Sequence, residues 1–349
     1  MKINVYAMLK TLLFTLENGK NLSSGMALLV KTAKSKKEKA VYSSIYNDLK
    51  EGSSFSYSLK KNKLGSLDIT QFLTMAESGA NFKVALEKII HYLEVKEEFE
   101  RESNEKTTLP FIYFFIVSIV VLGVKFIAVP YQQSQSEGYS QEIILLISNH
   151  LIIAQIMADI LFFLLLLTGS YFIVLMIALF STSYGTQAIA KEIGLRLPVI
   201  ANIVKKFEKF ILFSMIGEML QSGVSFKQAI AAAIETTSIS TYKKALQYSL
   251  DSVKYKGKLV FHDAMYDAME KELMLGVGSS HQVGKVMVEI SSRAKSDALK
   301  LSTKFFRMIT IISIFLMAFA VFIEFYTVVL TQILIQKGLI DLSRGTGTY

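Results

Sequence analysis

Cysteine is absent from the 349-residue sequence. Its absence excludes disulfide bridges, thiolate metal sites and a cysteine nucleophile, although it does not identify a cellular compartment. The histidines do not occur in the i,i+4 pairs typical of metal sites, and no Gly-x-Ser-x-Gly motif is present. We therefore expect no catalytic, cofactor-binding or metal-binding residue, and no cofactor. The four histidines are His91, His150, His262 and His281.

A nucleotide-binding loop is also missing. The nearest candidate is Gly276–Val286, which contains Gly284-Lys285. Ser279 stands where a Walker A motif needs its first glycine, and Val286 stands where Mg²⁺ needs a serine or threonine. No buried strand is predicted before it. These departures argue against phosphate binding there.

Long hydrophobic runs are abundant, and they are sharply separated from two polar blocks. The runs 109–130, 151–180 and 308–336 each provide the ~20 apolar residues that a helix needs to cross the hydrocarbon core. Residues 1–107 and 181–307 have the composition of soluble domains. The sequence therefore predicts a membrane protein with three transmembrane helices.

Lysine and arginine are missing from the stretch 130–150, whereas residues 1–107 carry 17 of them and residues 181–307 carry 18. Basic residues near membrane spans favour the cytoplasmic side. We therefore expect both polar blocks in the cytoplasm, with the loop 131–150 and the tail 337–349 in the periplasm. Lys10 interrupts the first apolar run, so no signal peptide is expected and the N-terminus should stay cytoplasmic. Membrane topology explains the basic charge better than nucleic-acid binding does.

Both polar blocks have the pattern of helices. Apolar residues recur at intervals of three and four, and no stretch alternates as a strand would. The first block should form about six short helices. The predicted fold class is all-α: an integral membrane protein with cytoplasmic helical bundles at 1–107 and 181–307.

The two blocks resemble each other. In the first, Gly19 ends a helix and Asn21 caps the next; 204 residues later, Gly223 and Ser225 occupy the same positions. Gln228 lies three residues after Ser225 and should complete a capping box. Further on, Glu77-Ser78-Gly79 aligns with Gly278-Ser279-Ser280. Matching breaks, caps and apolar positions predict two copies of one helical domain.

These features resemble a known family. Leu195–Ile230 is similar to the Leu-Pro-Val…Leu-x-x-Ser-Gly-Val pattern of the type II secretion F family, and Ala76–Gly79 resembles its Gly-Glu-x-Gly signature. The second copy lacks the signature glutamate, and Ala201 replaces a glycine common in the family. These departures suggest a divergent member, similar to those of type IVb pili.

The resemblance implies a non-enzymatic platform protein of the bacterial inner membrane, acting in type IV pilus assembly or type II secretion. It implies a cytoplasmic hexameric assembly ATPase, pilin subunits and other inner-membrane pilus-assembly proteins as partners. The platform would couple the ATPase to insertion of pilins into the filament. A homo-oligomer is expected because a central platform needs an axis. Candidate partner-binding residues are Glu77, Gly79, Gly19 and Gly223.

Glu77 has a structural and a functional interpretation. It ends a helix and could bind backbone amides of the restart at residues 79–81. Alternatively, its carboxylate could contact the ATPase. We favour the structural interpretation from the sequence.

Three charges lie inside the apolar runs: Lys125, Asp159 and Glu324. Burying an isolated charge there costs at least ~2.5 kcal/mol, so each needs a partner. Lys125 could receive the acidic residue that type IV pilins typically carry, or it could pair internally with Asp159 or Glu324, or extend to the interface. We favour the internal solutions. The alternative function is a membrane carrier or channel subunit that uses these three charges.

Overall fold

The structure is a computed structural model, and it describes residues 3–79, 81–136, 141–180, 184–256 and 260–345. Across those ranges the ordered elements are helices and no residue lies in a strand, which confirms the all-α prediction. The chain divides into two compact units. The polar unit comprises Met1–Glu102 and Ile177–Leu301, and the apolar unit comprises Ser103–Met176 and Ser302–Tyr349.

The helices follow one another with short connections. Their bounds are α1 Val5–Glu17, α2 Leu22–Thr32, α3 Lys36–Lys50, α4 Phe55–Lys61, α5 Leu67–Gly79, α6 Phe82–Gly123, α7 Val129–Ser136, α8 Gln141–Phe180, α9 Tyr184–Arg196, α10 Pro198–Gln221, α11 Phe226–Thr236, α12 Ser240–Lys256, α13 Ala268–Leu275 and α14 Ser280–Gly345. A π-helical turn, Val124–Ala128, joins α6 to α7.

The break between α1 and α2 is made by local chemistry. Gly19 has φ +73°, a conformation that a residue without a Cβ adopts at no steric cost. The Asn21 side chain then accepts a hydrogen bond from the Ser24 amide at 2.9 Å, satisfying one of the free donors at the start of α2. The predicted stop and cap are confirmed.

The same combination of a glycine with positive φ and a polar N-cap occurs between α10 and α11. Gly223 has φ +92°, and Ser225 with Gln228 forms the expected capping box. The helices that follow also correspond: α2 and α11 both contain 11 residues, and α11 begins 204 residues after α2. In the same way, α12 begins 204 residues after α3. The first half has α4 where the second has irregular chain before α13.

The core of the polar unit contains residues from both halves. Met8, Leu9, Leu12 and Met26 are almost fully buried between α1 and α2. Phe99 of α6 lies 4.9 Å from the Phe207 ring of α10, measured between centroids. Apolar residues of the two halves therefore pack against each other within this unit.

Three helices are long and apolar enough to cross a membrane, by length and composition: Phe82–Ser134, Ile147–Leu179 and Ser280–Lys337. Within the apolar unit they meet along a buried cluster of valine, leucine, isoleucine and alanine. Its members are Val117, Val121, Val124, Val129, Ala158, Leu161, Leu165, Leu316, Ala320 and Ile323.

Helical structure extends farther than the apolar runs. The sequence predicted a loop at 131–150, yet α7 reaches Ser136 and α8 begins at Gln141. Glutamine and glutamate are good helix formers, so the polar flanks can continue the helices once packing has nucleated them. The remaining part of the predicted loop, 137–140, lies outside the described residues.

Candidate functional site

The intramembrane lysine is paired within the chain. Lys125 lies in the π-helical turn, and its Nζ is 2.8 Å from Oδ1 of Asp159 on α8. The sequence left several partners open for Lys125, and the structure shows the internal pair with Asp159. Single π-helical turns are rare, and those that occur are frequently found at functional sites. In this chain the turn contains Lys125.

Aromatic rings and an amide complete the surroundings of this pair. The Lys125 ammonium lies 4.3 Å from the centroid of the Phe162 ring and 5.5 Å from that of Phe126. Gln155 Nε2 donates to Asp159 Oδ1 at 3.3 Å. Ring faces attract cations most strongly where water is scarce, so the two rings stabilise the charge of Lys125. Lys125 and Gln155 stabilise the charge of Asp159.

Glu324 is in a different situation. It lies on α14 with its side chain exposed, next to Ile323, which is fully buried in the apolar cluster. Its carboxylate has no ion pair or hydrogen bond with any residue that the structure describes. Of the three charges noted in the sequence, Lys125 and Asp159 therefore pair with each other, and Glu324 is exposed.

Glu77 binds the start of another helix. One carboxylate oxygen accepts the Phe55 amide at 2.6 Å, and the other accepts the Ser56 amide at 3.2 Å and the Ser56 hydroxyl. Its described partners are thus in the first turn of α4, whereas the sequence suggested residues 79–81. A carboxylate at a helix N-terminus satisfies free amides and interacts favourably with the helix dipole.

The three candidate glycines have different surroundings. Gly19 and Gly223 form the left-handed turns described above, and a Cβ on either would meet no atom within 4 Å. Gly79 is the last residue of α5. The turns at Gly19 and Gly223 are open to a partner on steric grounds, and their role in partner binding stays a prediction.

A polar contact that the sequence did not reveal joins the two halves. Glu218 of α10 is almost fully buried. Its Oε2 lies 3.2 Å from Lys88 Nζ, and its Oε1 lies 2.6 Å from His91 Nδ1; both partners are on α6. Lys88 also donates to Gln221 at 3.0 Å. Because these residues are more than 120 positions apart, periodicity gave no signal for this contact.

Two further contacts extend this seam between the halves. Gln71 Nε2 of α5 donates to Glu235 of α11 at 2.5 Å, and Lys295 of α14 pairs with Glu98 of α6. The seam thus involves α5, α6, α10, α11 and α14. These contacts join the two halves within the polar unit.

A cleft of about 850 Å³ lies beside the seam within the polar unit and has several charged walls. Asp68 accepts from the Tyr92 hydroxyl and, at 2.8 Å, from Lys96. Burial opposes ionisation of Asp68, but the charge and hydrogen bond of Lys96 outweigh it and lower the pKa of Asp68 to about 2.

A second buried pair also lines the cleft. Lys191 donates to Glu208 at 2.6 Å, and Thr237 donates to the other oxygen of Glu208 at 2.7 Å. Four charges that line the cleft are therefore paired with one another: Asp68 with Lys96, and Lys191 with Glu208. Among the described residues no group of three or more His, Asp or Glu side chains is arranged to hold a metal ion. This arrangement suits a structural role.

Part of the chain matches a known protein family. The family model for "Type II secretion system (T2SS), protein F" matches residues 8–130. The matched part runs from α1 to the end of the first apolar run and contains Glu77 and Lys125. No curated protein matches the chain.

Proposed function

Because the chain belongs to the type II secretion F family of inner-membrane platform proteins, we propose that it is the platform of a type IV pilus assembly machine. In this role it couples a cytoplasmic hexameric ATPase to the insertion of pilin subunits into a growing filament. The family match over residues 8–130 is the observation that carries the proposal.

The architecture of the second half supports an extension of this assignment beyond the matched residues. Helices α11 and α12 begin 204 residues after α2 and α3, and α11 repeats the 11-residue length and the polar N-cap of α2. Gly223 repeats the positive φ of Gly19 at the same offset. We propose that the second half is a second copy of the family's helical module. We also propose that both copies lie in the cytoplasm, as their 17 and 18 basic residues favour.

A platform must transmit movement, and the contacts within the polar unit suit that task. The seam from Lys88 and His91 to Glu218 joins α6 to α10. A movement imposed by the ATPase on one half would therefore be passed to the other. Helices α6 and α14 contribute residues to both units, and we propose that they carry this movement into the membrane.

The test uses the full-length protein in its native membrane. Under this proposal, deletion of its gene abolishes surface pili, and the tagged protein purified in detergent retains the assembly ATPase. A strain that loses secretion of a folded substrate but keeps its pili would place the protein in a secretion machine instead. Retention of pili together with no ATPase association would contradict the proposal.

A companion measurement addresses oligomerisation. A central platform requires more than one copy around the filament axis, so the purified protein should behave as a homo-oligomer in detergent. Light scattering coupled to chromatography gives the protein mass independently of the micelle. A monomer under conditions that keep the ATPase bound would contradict this part of the proposal.

A further inference from the structure

One acidic side chain of α14 faces outward at membrane depth. Within the apolar run 308–336, Glu324 is the single charged residue. Its neighbours Val321 and Phe325 are 52% and 63% exposed, whereas Ile323 is fully buried. The carboxylate thus lies on the face of α14 that points away from the other described helices of its unit.

This position is energetically unfavourable for an isolated chain. An ionised side chain in the middle of a membrane helix costs at least ~2.5 kcal/mol, and such residues almost always face a protein interior or pair with one another. Glu324 lies sixteen residues after Met308, the start of the apolar run. At 1.5 Å per residue this is about 24 Å along the helix, too far for the side chain to reach the interface at that end.

The groups of this chain that could neutralise Glu324 have other partners. Lys125, the one lysine within the three apolar runs, binds Asp159 at 2.8 Å and lies over the Phe162 ring. His150 contacts the Tyr326 hydroxyl at 3.2 Å. Among the described residues of the three apolar runs, no cation remains for Glu324.

A second copy of the chain is an unsuitable occupant for the same reason. At this depth it would offer its own Lys125, already paired, and its own Glu324. Two glutamates brought together in hydrocarbon repel each other. A positive charge facing Glu324 would therefore have to belong to a different protein.

We propose that Glu324 and the exposed face of α14 around Val321 and Phe325 form a docking site for a membrane-embedded helix of another protein that carries a lysine or arginine at this depth. The ion pair would form in a medium of low dielectric constant, where Coulomb attraction is strong. The proposal requires that α14 spans the membrane. It does not depend on the platform role, so either can fail without the other.

Photo-crosslinking in cells tests the proposal. A photoreactive amino acid is placed at Val321 or Phe325, in chains that have Glu324, Glu324→Asp or Glu324→Gln. We expect an adduct with a second membrane protein that is reduced at least about tenfold by Glu324→Gln and largely kept by Glu324→Asp. The same probe at Phe163, 65% exposed on α8, is the control, and its adducts should not depend on residue 324.

Mass spectrometry of the adduct then decides the chemistry. The crosslinked segment should contain a lysine or arginine within one helical turn of the crosslink, and exchanging the two charges, with Glu324→Lys and the partner's base changed to glutamate, should restore the adduct. Adducts only with lipid or with a second copy, adducts indifferent to Glu324→Gln, or a partner segment without a cation would overturn the proposal.

Protein stability provides an independent check. Since Glu324 has no described partner within the chain, Glu324→Gln should fold to the wild-type level and keep the wild-type melting temperature in detergent. A substantial loss of folded protein would show that the carboxylate has an intramolecular role, and this result too would overturn the proposal.

Discussion

Gly217 of α10 and Gly284 of α14 touch backbone to backbone. A Cβ built on Gly217 would lie 2.8 Å from the Gly284 carbonyl oxygen, and a Cβ built on Gly284 would lie 2.8 Å from the Gly217 carbonyl oxygen. Real Cβ atoms do not approach oxygen so closely. Glu218 directly follows Gly217 in α10. The close backbone contact and the buried ion pair of Glu218 therefore stabilise the same region of the polar unit.

Substitution of either glycine by alanine should destabilise the polar unit. For Gly217→Ala the added methyl meets backbone atoms that cannot rotate away, so we expect a loss of about 1–3 kcal/mol, typical of overpacking. Thermal unfolding in detergent, followed by circular dichroism, measures it. Gly185→Ala is the matched control because it lies in a helix with no atom within 4 Å of the added methyl. Equal melting temperatures for the two variants would contradict the close crossing.

Removal of the Glu77 carboxylate should weaken the packing of α4. Glu77→Gln retains an acceptor but loses the charge near the helix N-terminus, and Glu77→Ala loses both acceptors. We expect losses of about 1 kcal/mol for glutamine and up to about 2 kcal/mol for alanine. Glu87→Gln, an exposed change on α6, should be neutral. A neutral Glu77→Ala that abolished ATPase binding would instead favour the partner-binding interpretation.

Asp68 should make stability depend on pH in the acid range. Its pKa is lowered to about 2 in the folded protein, so its ionised form favours folding above its ordinary pKa near 4, and this contribution is lost as the pH falls through about 2. The shift corresponds to about 2 kcal/mol. Asp68→Asn should therefore be destabilised at pH 6, with a deficit that shrinks towards pH 2 in chemical unfolding.

Asp297→Asn supplies the comparison for Asp68. Asp297 pairs with Lys206 at 2.9 Å, and both side chains are more than a third exposed. Pairs of this kind contribute about 0–1 kcal/mol, so the deficit should be small at every pH. A constant deficit for Asp68→Asn across the same range would contradict the assignment of its low pKa.

The pair of Lys125 and Asp159 should show coupling in a double-mutant cycle. Lys125→Met or Asp159→Asn alone leaves an unpartnered charge in an apolar helix bundle, whereas the double variant removes both charges. We expect the double variant to retain more folded protein and more pili than either single variant, with a coupling of at least about 1 kcal/mol. If the chain were a carrier using these charges, the double variant would be as inactive as the single ones.

Local features of the fold were predictable from the sequence, and long-range contacts were not. The turns at Gly19 and Gly223 and the caps at Asn21 and Ser225 depend on neighbouring residues, so spacing alone indicates them. The three apolar helices follow from length and hydropathy. These signals are contained within one helix or one turn.

The contacts of the candidate sites depend on how the helices pack. Glu77 reaches a helix start 21 and 22 residues earlier, and Glu218 meets Lys88 and His91 across the two halves. The positions of acidic residues in a single sequence do not show which distant residues those side chains will contact. The internal pairing of Lys125 was among the predicted alternatives, but the choice of Asp159 over Glu324 depended on which helix faces meet.

The most direct test of the account is the location of both helical halves relative to the membrane. Because the chain has no native cysteine, single cysteines at Lys20, Lys244 and Ser134, all exposed, can be labelled with an impermeant maleimide in spheroplasts. We expect Ser134→Cys to react in intact spheroplasts, and Lys20→Cys and Lys244→Cys to react only after lysis. Reaction of Lys20→Cys or Lys244→Cys before lysis would contradict a platform with both halves in the cytoplasm.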